Sequence, residues 1–110
     1  MNNQKKIKIG MLYEYLTELH EDIKKFREEC TSDIYDSLSL SLEFECMGLL
    51  GRLDRMNIVA PIISEKRIQE VQSAYRKLAC EQAQLENEYI SWKGTGSVKS
   101  KKKTTTTTSN

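Results

Sequence analysis

Ile9, Leu12, Leu16, Leu19, Ile23, Phe26 and Cys30 follow one another at intervals of 3, 4, 3, 4, 3 and 4 residues. An unbroken 3.5-residue apolar period does not fit the twofold alternation of a strand. It is the pattern by which one helix lies along another. Glu21–Lys25, Lys24–Glu28 and Lys25–Glu29 add i,i+4 pairs on the outer surface, each contributing about 0.2–0.5 kcal/mol. A helix over about 9–30 is therefore expected. Residues 1–8, with Lys5, Lys6 and Lys8, are expected to form a flexible basic lead.

The same rhythm returns in Ile68, Val71, Tyr75, Leu78, Gln82, Leu85, Tyr89 and Trp92, with one polar interruption at Gln82. Pro61 suits a first helical turn, because its missing N–H is not needed there. Ser64 before Glu65 is a competing N-cap. A helix over about 62–93 follows, and Lys93-Gly94 is a plausible end because glycine readily adopts the left-handed C′ conformation.

Between these two lies Ser37–Gly51, "SLSLSLEFECMGLLG", which opens as a strand would. The alternation accounts for Leu38, Leu40 and Leu42 and fails by Cys46-Met47. A helical reading places Tyr35, Leu38, Leu42, Cys46, Leu49, Leu53 and Met56 on one stripe and spans more than twice the length. It leaves Leu40, Phe44 and Met47 on a second, nearly opposite face. The predicted helix, about 33–57, is thus apolar on two sides. Glu45 and Arg52 at d positions reflect a drift of the first stripe, with Cys46 and Leu53 taking over.

Thr31, Ser32 and Asp33 each offer an N-cap, and the phase slip from Cys30 to Tyr35 breaks the first helix from the second. The second link, Asn57 to Pro61, is also short. Short links make sequential helices antiparallel neighbours. The expected fold is all-α: an antiparallel three-helix bundle or helical layer with heptad stripes over 9–93. Residues 94–110 are expected to be a disordered Lys/Thr-rich tail, since "GTGSVKSKKKTTTTTSN" has one aliphatic side chain to bury.

Composition narrows the function. From Lys93 onward there are five lysines and no acid, which leaves a body with 12 bases against 16 acids. Such a body is poorly suited to general nucleic-acid binding. No apolar run approaches the roughly 20 residues of a membrane span, and no secretory leader is legible. Cys30, Cys46 and Cys80 are odd in number and lack CxxC spacing, which fits an intracellular, reducing compartment, cytoplasmic or nuclear.

No constellation for chemistry surrounds His20, the only histidine. The acidic groups Glu14/Glu18/Glu21/Asp22 and Glu81/Glu86/Glu88 lack the loop and spacing of a metal site. No catalytic residue, metal, cofactor or small-molecule substrate is expected. Gln82 is either a register-fixing core amide or a wet-edge residue. Gly48 and Gly51 each weaken a helix by about 1 kcal/mol relative to alanine, and mark either the close approach of a neighbouring helix or side chain or a tolerated kink.

The expected function is that of a small non-catalytic interaction module, adaptor or complex subunit. It would bind a partner helix or itself through Leu40, Phe44, Met47 and Gly51, joined by Tyr13 and Tyr15. The competing reading of that face is internal packing in a three-helix layer. An alternative function is a nucleic-acid-associated accessory protein held by the basic tail, Lys99, Lys101, Lys102 and Lys103.

Overall fold

The computed structural model of the chain describes residues 2–95, and these form three helices with no strand. They are α1 (Asn2–Glu29), α2 (Asp33–Ile58) and α3 (Glu65–Thr95). The opening alternation of leucine and serine lies wholly inside α2. The lysine and threonine tail lies outside the described residues.

Local chemistry sets the helix ends. Ser32 is the N-cap of α2, in extended conformation, with its hydroxyl accepting from the Tyr35 N–H at 3.4 Å. Asp33 and Asp36 in the first turn complement the positive end of the helix dipole. Ser64 caps α3 in the same way, accepting from the Arg67 N–H at 3.3 Å. Pro61 falls in the preceding turn, closed by Ile62 and Ile63 N–H groups donating to the Val59 carbonyl.

Two boundaries differ from expectation. α1 begins at Asn2, two turns before Ile9, because its first turns are tied to the α2–α3 link. Lys5 Nζ donates to the Ile63 carbonyl at 2.6 Å, and Lys8 pairs with Glu65 at 3.0 Å. α3 runs through Gly94 to Thr95, so that glycine does not end the helix.

Cross-helix contacts define the topology. Leu16–Cys46, His20–Glu43 and Arg27–Asp36 run in opposite sense, so α1 and α2 are antiparallel. Ser39–Gln82 and Arg52–Glu70 make α2 and α3 antiparallel too. α3 then returns alongside α1, with Tyr15 stacked on Tyr75 and Phe26 edge-on to Tyr89. Each helix touches both others, which is a bundle and not a layer. It is slender, about 61 × 20 × 15 Å.

The core follows the heptad stripes through Leu16, Ile23, Cys46, Leu53, Ile68 and Val71. One assignment changes. Leu38 is 49% exposed and Ser39 is fully buried in its place. The two straddle the line from α2 to the core, and α3 closes on the serine. Its hydroxyl donates to Gln82 Oε1 at 3.1 Å, and the Gln82 amide donates to Glu86 at 3.0 Å. Gln82 is 2% exposed, so it is a core amide with both ends satisfied.

One end of the bundle is sealed by aromatic rings. Tyr89 meets Phe26, Tyr35 and Trp92 at centroid distances of 5.3, 5.6 and 5.7 Å. Its hydroxyl accepts from the Thr31 N–H at 3.0 Å, which pins the α1–α2 link to the last turns of α3.

Candidate interaction surface

At 100° per residue, Leu40, Phe44, Met47, Gly51 and Ile58 fall within an arc of about 60° on α2. That arc faces away from the buried line Ser39–Leu42–Cys46–Leu49–Leu53–Met56, by about 150°. Neither α1 nor α3 covers its ridge at Phe44, Met47 and Ile58. Phe44 is 62% exposed, Met47 48% and Ile58 80%, while Leu40 and Gly51 are half-buried. Internal packing therefore does not explain Phe44, Met47 and Ile58.

Ile58 was not among the residues expected here, although the signal was present. Phe44, Gly51 and Ile58 stand seven residues apart, and the series 40, 44, 47, 51, 54, 58 is a complete heptad run with one charged member, Asp54.

The glycines have no intramolecular reason to be small. A Cβ at Gly48 would meet nothing within 4 Å, and one at Gly51 only the end of Arg55, at 3.7 Å. Both sit in the interior of α2, where glycine costs about 1 kcal/mol relative to alanine.

Between the stripe and α1 runs a polar seam. Arg27 donates through Nε to Asp36 at 3.0 Å and through Nη1 to Glu43 at 2.9 Å, while His20 Nε2 lies 3.2 Å from the other Glu43 oxygen. Burial alone would push the Glu43 carboxyl up. The hydrogen bonds and charge of Arg27, with those of His20, outweigh it and hold the group below its ordinary value. Asp36 and Glu43 in turn raise Arg27. This seam positions α2 against α1 and fixes which way the outer stripe points. His20 thus has a structural partner.

The expected face divides at the two tyrosines. Tyr13 lies seven residues before His20, on the α2 side of α1, and the antiparallel register puts it level with Leu49 and Leu50. It flanks the stripe and is exposed. Tyr15 does not join it. Its ring stacks on Tyr75 at 5.7 Å in the groove between α1 and α3, because a two-residue step on a helix turns the side chain by about 200°.

Other concavities are shallow. The α1–α3 groove brings Glu18, Asp22 and Glu86 around Tyr15 and Tyr75. A hollow at the α2–α3 link is lined by Arg52, Arg55 and Arg67 over Met56, Val59 and Ile63. Among the described residues no group of three His, Cys, Asp or Glu could hold a metal ion. Cys46 donates to the Leu16 carbonyl at 3.2 Å, and burial pushes its thiol up to about 11, which makes it inert packing. Cys30 is half-buried and Cys80 exposed. Lys99, Lys101, Lys102 and Lys103 lie outside the described residues.

No helix among the described residues is long and apolar enough to cross a membrane. Comparison with protein-family models, with curated proteins and with solved structures found nothing that matches this chain.

Proposed function

We propose that this chain is a non-catalytic helical interaction module that receives a partner helix along the outer stripe of α2. The observation that carries the reading is Phe44. A large aromatic ring stands 62% exposed at the middle of a heptad run, on a helix whose opposite face already fills the core. Contiguous exposed apolar surface of this kind marks interaction sites, and a stripe at i, i+4, i+7 spacing is what another helix presents in return. Tyr13 on the neighbouring edge of α1 widens the surface, and aromatic residues are enriched at interface centres.

The test is affinity capture of the tagged chain from its native cells beside Phe44→Glu, with folding of the variant checked by circular dichroism. A partner held by the wild type and lost by the folded variant supports the reading. Identical partners for both proteins, or neither a captured partner nor self-association of the wild type, overturns it.

A further inference from the structure

We infer that the occupant of the α2 stripe is the same stripe of a second copy, lying antiparallel across a twofold axis that passes between Met47 and Gly48. This rests on the reading just given and names its partner.

Shape is the first argument. The stripe is large from Leu40 to Met47 and narrows at Gly51 and, at its edge, Gly48, before Asp54 and Ile58 close its far end. In the antiparallel register Phe44 of each copy lies opposite Gly51 of the other, and Met47 opposite Gly48. Phe44 and Met47 thus each meet a glycine that nothing in its own chain crowds, while Leu40 lies level with the long side chain of Arg55. A parallel pair would set Phe44 against Phe44 and glycine against glycine, crowding one end and leaving a void at the other. The helix-weakening glycines thereby acquire a reason that the single chain does not provide.

Charge is the second argument. The half of α2 from Asp33 to Glu45 carries Asp33, Asp36, Glu43 and Glu45 and no base, an excess that Arg27 of α1, bonded to Asp36 and Glu43, offsets only in part, whereas the half from Cys46 to Ile58 carries Arg52 and Arg55 against Asp54. Antiparallel pairing sets the acidic half of one copy beside the basic half of the other, and parallel pairing sets like beside like. Asp54, the one charge in the stripe, lies level with Ser41 of the second copy near the end of the contact.

Size sets the strength. The overlap from Ser37 to Ile58 is on the order of 32 Å long at 1.5 Å per residue. One helix pair of that length falls short of the roughly 800 Å² per partner of a standard interface. The association is therefore reversible and concentration-dependent, with the α1 edge at Tyr13 adding to it.

The experiment is sedimentation velocity of the full chain from about 10 µM to about 1 mM, with Gly51→Leu and Phe44→Glu alongside. The wild type is expected to pass from monomer to dimer. Gly51→Leu fills the hollow that receives Phe44 and is expected to weaken the dimer about tenfold or more while raising the melting temperature, since only the flexible end of Arg55 stands against the site in the single chain. Orientation is read in a Cys30→Ser/Cys80→Ser background. A chain carrying both Ser37→Cys and Ile58→Cys is expected to oxidise to a covalent dimer, whereas chains carrying either one alone are not.

A wild type that stays monomeric throughout, a dimer indifferent to both stripe variants, or cross-linking by either chain with one added cysteine beside the buried Cys46 overturns the proposal. If the wild type stays monomeric while Phe44→Glu still loses a captured partner, self-pairing fails and the interaction-module reading stands. If neither occurs, both fail.

Discussion

The two faces of α2 carry the same kind of pattern and meet opposite fates. On the inner face Leu42, Cys46, Leu49, Leu53 and Met56 are closed in by α1 and α3. On the outer face Phe44, Met47 and Ile58 stand in solvent at the same heptad spacing. Periodicity states that a face requires cover and leaves open what covers it. The difference is made by the polar seam of His20, Arg27, Asp36 and Glu43, which fixes the rotation of α2 against α1, and by Ser39, whose bond to Gln82 fixes its approach to α3.

The largest effect expected from breaking this asymmetry is on the inner face. Leu53 is fully buried, and Leu53→Ala should lower stability in urea unfolding by about 2–5 kcal/mol, the range for core truncations that leave a cavity. Phe44→Ala, which removes more side-chain volume, should change it by under about 0.5 kcal/mol in the monomer. Comparable losses at both positions would show that the outer stripe is part of the fold.

A smaller loss is expected at the buried polar contact. Ser39→Ala leaves the Gln82 carbonyl oxygen without its donor, a penalty of about 1–3 kcal/mol, and adding Gln82→Leu should recover part of it. A double variant no more stable than Ser39→Ala alone would mean that the hydrogen bond does not govern the approach of α3.

Gly51→Ala tests the outer face from the opposite direction. It should stabilise the monomer by about 0.5–1 kcal/mol, because the added methyl group meets only the end of Arg55, at 3.7 Å, and glycine's backbone entropy is removed from the unfolded chain. A loss of stability in thermal melts would reveal an approach to Gly51 that the present packing lacks.

The seam contributes a pH dependence whose sign follows from Glu43. Its carboxyl sits below the ordinary value of 4.5 in the folded chain, so the unfolded chain binds the proton more tightly. The resulting stability is complete above that value and drains away as pH falls below it through the folded value. Glu43→Gln should flatten the melting temperature between neutral and acid pH relative to wild type. An unchanged acid-side slope would remove Glu43 from the account of how α2 is oriented.

Much of the fold was legible in the chain because the heptad spacing of Ile9–Phe26 and Ile68–Tyr89 records packing directly. Capping chemistry is local, so Ser32 was legible as one of three candidate caps beside Thr31 and Asp33, and Ser64 as the competitor of a start at Pro61; the structure selects the two serines. The misreadings share a cause, which is dependence on another helix. Ser39 outranks Leu38 in the core only because Gln82 faces it, and α1 starts at Asn2 only because Ile63 and Glu65 hold Lys5 and Lys8. Tyr13 and Tyr15 look alike in sequence, yet the turn of the helix sends one beside α2 and the other onto Tyr75. Ile58 was masked by its neighbours, since "IVAPII" reads as a link until the column Phe44–Gly51–Ile58 is counted.

The most direct measurement is a pair of urea unfolding curves, at a concentration where the chain is monomeric, for Phe44→Glu and Leu53→Glu. If α2 has one core face and one open face, Phe44→Glu unfolds cooperatively with the wild-type midpoint and slope, while Leu53→Glu is unfolded or nearly so before urea is added. A Phe44→Glu chain that fails to fold, or a Leu53→Glu chain that folds as well as the wild type, would contradict it.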